Sequence, residues 1–202
     1  MNHQRRTMLA TLSLLGISCI PLSACKRPLA NFNGIDITGA DYGSDFHLTG
    51  HDGKPYTLSQ FKGKYVMLFF GYTQCPDICP TALTRALAIR QQLGADADRL
   101  QILFVTVDPE RDTPALLAEY MHAFDPSFLG LYGTLEQTAE VAHSFRIFYK
   151  KVPNPGGDST AYSMDHTAIT YVYDAKNTLR LAFKHEQTAE QCVADLHTLM
   201  QS

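Results

Sequence analysis

The run Tyr65–Pro80, YVMLFFGYTQCPDICP, joins an unbroken apolar segment to two cysteines separated by three residues, each followed by proline. Tyr65 to Phe70 shows no alternation of apolar and polar residues, which suits a strand covered on both faces in the middle of a sheet. Thr81 to Leu93 then carries Leu83, Leu87 and Ile89, or alternatively Ala86 and Ala88, near helical spacing, with Gly94 ending the helix. The cysteines therefore fall in the loop and first turn between a central strand and a helix. A redox couple, a metal clip and a structural bridge are all compatible with that placement.

Outward from this segment the pattern continues. Gln101–Val107 predicts a second buried strand, and Asp112-Thr113-Pro114 supplies capping residues and an early proline for a helix over Ala115–Phe124. Phe128–Tyr132 predicts a short strand, Thr134–Ser144 a helix, and Phe145–Val152 an extended segment running into a loop at Pro153–Asp158. Ala168–Tyr173 and Thr178–Phe183 predict two strands around a turn, and Thr188–Met200 a last helix with Val193, Leu196, Leu199 and Met200 on one face. Upstream, Phe46–Leu58 alternates around Asp52-Gly53 as a β-hairpin does. The order βαβαβα followed by ββα predicts an α/β, thioredoxin-like fold, with a mixed central sheet flanked by helices and an added N-terminal β-hairpin.

The chain has 202 residues, 45% of them hydrophobic and 18% charged, enough for one substantial core. A net charge of -3, without any cluster of Lys and Arg interleaved with aromatics, argues against nucleic acid as a partner. Met1 to Thr7 is basic and Met8 to Ile20 apolar but short for a membrane span, the layout of an export signal. Leu22-Ser-Ala-Cys25 resembles the bacterial lipobox, in which the cysteine is lipidated and becomes the new N-terminus. The expected organisation is a lipoprotein signal peptide over 1–24, a flexible tether over 25–44 and a globular domain over 45–202, lipid-anchored through Cys25 to the cell membrane on its periplasmic or extracytoplasmic side.

Of five cysteines, Cys19 lies in the signal and Cys25 at the lipid site, so the exported domain keeps Cys75, Cys79 and Cys192, too few for a disulfide framework. A bridge closing the short loop between Cys75 and Cys79 restrains little chain entropy. A helix N-terminus lowers thiol pKa, because its unpaired N–H groups and macrodipole favour negative charge. Cys75 and Cys79 are then better nucleophiles and better metal ligands than free cysteine. Thioredoxin-type exchangers place two residues between their cysteines and a Trp before them; here there are three, and the chain has no Trp. Cys192 reads as a buried apolar thiol.

Two thiolates hold Cu(I), and a neutral imidazole completes a three-coordinate site that zinc, which takes four ligands, would not prefer. Among eight histidines, His3 lies in the expected signal, His122, His143 and His197 fall on helix faces, and His47, His51 and His185 at hairpin or strand ends. His166 differs, because Asp165-His166-Thr167 opens the strand at 168–173 after a long loop able to fold over the cysteines. Met164 reads as packing. Asp108 and Asp112, between a strand end and a capped helix, read as capping groups.

The segments FFGYTQCPDICP (69–80), VTVDPERDTPALLAEY (105–120) and DHTAITYVYD (165–174) resemble, in this order, the Sco/SenC proteins, copper chaperones that serve assembly of the dinuclear copper centre of cytochrome c oxidase. The similarity spans about Phe46 to Met200. It implies copper held by Cys75, Cys79 and His166 as Cu(I), with Cu(II) left open, and Asp77 and Val107–Pro109 bordering the site. The implied partners are the oxidase subunit that houses the copper centre, other copper carriers, and thiol reductants. Members often carry a transmembrane anchor, where this chain offers Cys25. An enzyme remains the alternative: a thiol-disulfide reductase with Cys75 and Cys79 as its catalytic pair or, with less support because the proline-and-threonine approach of peroxiredoxins is lacking, a peroxidase.

Overall fold

The computed structural model describes residues 31–154 and 161–201. The expected signal peptide, Cys25 and the loop residues 155–160 lie outside the described residues. Among the described residues no helix is long and apolar enough to cross a membrane.

Strand β4 (Tyr65–Gly71) is buried along its whole length, as its unbroken apolar sequence requires. It pairs in parallel with β5 (Leu100–Thr106), Tyr65 opposite Leu100 through Gly71 opposite Thr106, and antiparallel with β9 (Thr170–Tyr173). Around this centre the eight-stranded mixed sheet runs β1-β10-β9-β4-β5-β6-β2-β3, with β1 at Ile35–Asp36, β2 at Leu48–Gly50, β3 at Pro55–Tyr56, β6 at Leu129–Tyr132 and β10 at Leu179–Phe183. β2 and β3 form the expected hairpin, and β2 joins the sheet beside β6.

Among the described residues four α-helices flank the sheet: α1 (Ile78–Leu93), α2 (Pro114–His122), α3 (Leu135–Ser144) and α4 (Ala189–Met200). The result is the thioredoxin-like arrangement. Gly94, at φ +55°, ends α1, a left-handed position that suits glycine. Thr113 caps α2, its hydroxyl accepting from Leu116 N–H, and the pairs Thr134/Gln137 and Thr188/Gln191 form capping boxes on α3 and α4.

Two regions depart from the sequence expectation. Residues 33–44, expected within a tether, belong to the fold. Asp195 on α4, 1% exposed, accepts from the backbone N–H groups of Asn33 (2.8 Å) and Gly34 (2.7 Å), β1 pairs with β10, and Gly43 O accepts from the Tyr173 hydroxyl at 2.7 Å. The folded chain therefore begins before the expected boundary at 45. Second, the segment before β9 is a separate two-stranded ribbon. β7 (Tyr149–Pro153) pairs antiparallel with β8 (Tyr162–His166), Tyr149 opposite His166 and Pro153 opposite Tyr162. His166 therefore closes β8 and does not open β9.

Candidate metal centre

β4 ends at Gly71, and the chain turns through Tyr72–Asp77 into α1, placing Cys79 in the first helical turn. Cys79 is fully buried and Cys75 half-buried. The ribbon brings His166 back over this turn: its Nε2 lies 3.5 Å from Cys79 Sγ, and the ligand atoms of Cys75, Cys79 and His166 all lie within 4.8 Å of one another. Among the described residues they form the one group of three His, Cys, Asp or Glu side chains so clustered. The three residues singled out from the sequence thus converge.

The imidazole is oriented on several sides. His166 Nδ1 lies 3.1 Å from the Thr167 carbonyl, an acceptor only, so Nδ1 carries the hydrogen and the Nε2 lone pair faces the sulfurs. Phe69 and Tyr72 meet the ring edge-on, each with centroids 5.9 Å away. A cavity of about 370 Å³ opens beside the cluster, lined by Tyr72, Cys75, Asp77, Met164, Asp165 and His166. Met164, 5% exposed on β8, is packed as the sequence suggested.

The two sulfurs differ in protonation. The hydrogen bond from Cys79 holds the Cys75 thiol far below its ordinary range, down to about 3; burial opposes this, while the Asp77 and Cys79 backbone N–H groups help. Cys79 is pushed upward by the same contact with Cys75 and by burial. The pair thus holds one thiolate and one proton, with Cys79 the donor. Cys192, also buried, has its thiol pushed up to about 11 by burial, in keeping with an inert apolar role.

Gly71 and Asp112 were not recognised from the sequence as parts of the site. A Cβ on Gly71 would stand 2.7 Å from Cys79 Sγ and 2.9 Å from the Phe104 ring, so glycine lets the sulfur lie directly against the strand. Asp112, 1% exposed, accepts from the Thr73 hydroxyl at 2.6 Å, Thr73 N–H at 3.1 Å and the Thr106 hydroxyl at 2.6 Å. It thereby ties the cysteine loop to the end of β5. Burial pushes its carboxyl above the usual range, partly opposed by these hydrogen bonds. Asp108 accepts from Arg111 and from the Tyr162 hydroxyl. The capping role expected for both aspartates belongs instead to Thr113, because their carboxylates are taken up by Arg111 and Tyr162 at Asp108 and by Thr73 and Thr106 at Asp112.

Two soft sulfurs and one imidazole nitrogen match the preference of Cu(I) for low coordination number. The charge cluster also suits thiol exchange.

The SCO1/SenC family model matches residues 36–201. An SCO2-like protein of Rickettsia felis is 36% identical over 166 residues, covering 80% of each chain. The solved structure of Bradyrhizobium japonicum ScoI with copper bound superposes with a TM-score of 0.70 at 42% identity, over 78% of this chain and 99% of that one. BsSco, described as a member of the Sco family of cytochrome c oxidase assembly proteins, shares the fold with a TM-score of 0.60 at 21% identity, over 83% and 97% of the two chains. The family match begins in β1 and ends past α4, taking in every element that positions the two sulfurs and the imidazole, and the chain belongs to the SCO1/SenC family.

Proposed function

We propose that this chain binds copper through Cys75, Cys79 and His166 and delivers it to the dinuclear copper centre of cytochrome c oxidase during assembly. The observation that carries the reading is the convergence of two sulfurs and an oriented imidazole within 4.8 Å. Copper bound to the Bradyrhizobium relative supports it, as does the description of BsSco. Copper is here the cargo. Capture of Cu(I) releases the one proton held by Cys79, and the cluster then carries two thiolates around a monovalent ion.

The depressed Cys75 thiol supports a second reading, in which the dithiol reduces the disulfide of the partner's copper ligands. Two electrons pass to that disulfide together with the one proton held by Cys79 and a second drawn from water, and Cys75 joins Cys79 as the oxidised pair. The two readings separate in one experiment with the purified copper-centre domain of the oxidase subunit. Copper-loaded protein should transfer one Cu(I) to the reduced domain and keep its dithiol. His166→Ala should lose that transfer and retain reduction of the oxidised domain. Transfer by His166→Ala at the wild-type rate would contradict the copper reading.

Export and lipidation at Cys25 form part of the same proposal, supported by the basic start, the short apolar segment and the lipobox-like LSAC. Cys25→Ser should leave the protein out of the detergent-extracted membrane fraction; unchanged membrane recovery would overturn the anchor.

A further inference from the structure

We infer that Arg111 is a positioning residue for His166, clamping the β7–β8 ribbon against the cysteine loop. A two-stranded ribbon is marginally stable alone, and this one forms a sheet of its own beside the eight-stranded one. Its seat must therefore come from side chains. Arg111, in the loop between β5 and α2, reaches three segments. Its Nε donates to Asp108 Oδ2 at 2.5 Å, and its Nη1 donates to the Tyr162 carbonyl at 2.8 Å and to Gln74 Oε1 at 3.3 Å. The guanidinium carbon lies 3.6 Å from the centroid of the Tyr162 ring and 5.8 Å from that of Tyr72. The Tyr162 hydroxyl returns to Asp108 Oδ1 at 2.9 Å, so one carboxylate holds both the arginine and the ribbon.

Tyr162 is the first residue of β8 and His166 the last; Gln74 adjoins Cys75. The clamp thus sets the distance between the element carrying the imidazole and the loop carrying the sulfurs. Arginine suits this role because a planar fork can donate along two edges while stacking on an aromatic face, which a lysine ammonium cannot do. Arg111, Asp108 and Tyr162 touch none of the three metal-ligand atoms, so their effect is exerted through placement alone.

The test has one arm without metal and one with copper, the second resting on the proposed copper reading. In the metal-free full chain, NMR reads the His166 ring protons, whose shifts report the edges of Phe69 and Tyr72. Arg111→Ala and Arg111→Lys should both move these signals toward those of a solvated histidine, and Tyr162→Phe, which keeps the ring and loses one hydrogen bond, should move them part of the way. In the copper arm, Arg111→Ala should raise the Cu(I) dissociation constant on the order of tenfold, and the Arg111→Ala/His166→Ala pair should bind no more weakly than His166→Ala alone. Unchanged His166 signals in the Arg111→Lys and Tyr162→Phe proteins would overturn the clamp, as would additive losses in the double variant. If Arg111→Ala does not fold, Tyr162→Phe decides. Should wild type and His166→Ala bind Cu(I) equally, the copper reading fails while the ring signals still judge the clamp.

Discussion

The two halves of the metal site are held in different ways. The sulfurs hang from β4, whose seven residues are all buried and all paired with β5, Val66–Phe69 pairing with β9 as well, and Asp112 ties their loop to β5. The imidazole hangs from a ribbon in which Lys150, Lys151, Pro153 and Asp165 are exposed and only Met164 is buried. Cysteine placement is therefore a property of the core, and histidine placement a property of a few side-chain contacts. Changes on the core side should alter stability together with metal binding, whereas changes on the ribbon side should remove the third ligand and leave the fold.

The largest expected effect comes from the sulfurs. Cys79→Ser removes a soft ligand and should weaken Cu(I) binding by about three orders of magnitude, ~4 kcal/mol, measured by competition with a chromophoric chelator. Next is Gly71→Ala. Its methyl meets Cys79 Sγ and Phe104 in a packed core, so it should destabilise by about 1–3 kcal/mol in urea unfolding. A loss of Cu(I) affinity without loss of stability would show that the sulfurs are less tightly set by the core than the comparison holds.

A smaller effect tests the coupling of the two sulfurs. Cys75, held down to about 3 by the Cys79 thiol, stays a thiolate from pH 5 to 8, and its alkylation rate should be nearly flat there. Cys79→Ala removes the donor, so the Cys75 thiol returns upward, and its rate should climb with pH through the ordinary thiol range. At pH 7 the wild type should react roughly tenfold faster. A profile that rises equally in both proteins would break the asymmetry. Least of all, Lys151→Ala removes an exposed ion pair with Glu110 and should leave both melting temperature and Cu(I) affinity unchanged. A clear loss would mean that the ribbon is seated through Lys151.

This asymmetry also decided what could be read in advance. Tyr65–Phe70, Gln101–Val107 and Ala168–Tyr173 are apolar runs whose burial needs no tertiary knowledge, and Gly94 and Thr113-Pro114 are local stop and start signals. They located the cysteine turn correctly. The ribbon strands YKKVP and YSMDH carry lysines and polar residues without clear alternation, because much of their surface faces solvent. Phe145–Val152 reads as extended in the sequence, but nothing local marks YSMDH as its partner strand. His166 was found through ligand chemistry and its motif, and its strand was not. Asp108 and Asp112 sit where capping is the ordinary local role; their partners Tyr162 and Thr73 are 54 and 39 residues away. The docking of Asn33 and Gly34 was equally hidden, since it uses backbone N–H groups on Asp195, 162 and 161 residues distant.

In the proposed copper site one imidazole from the ribbon joins two sulfurs from the core around a single Cu(I). X-ray absorption on the Cu(I)-loaded full chain, wild type against His166→Ala, tests it directly. The wild type should hold one copper per chain with two sulfurs and one nitrogen, and the variant should lose the nitrogen with both thiols still titratable. A wild-type spectrum with sulfur ligands alone, unchanged by the substitution, would contradict it.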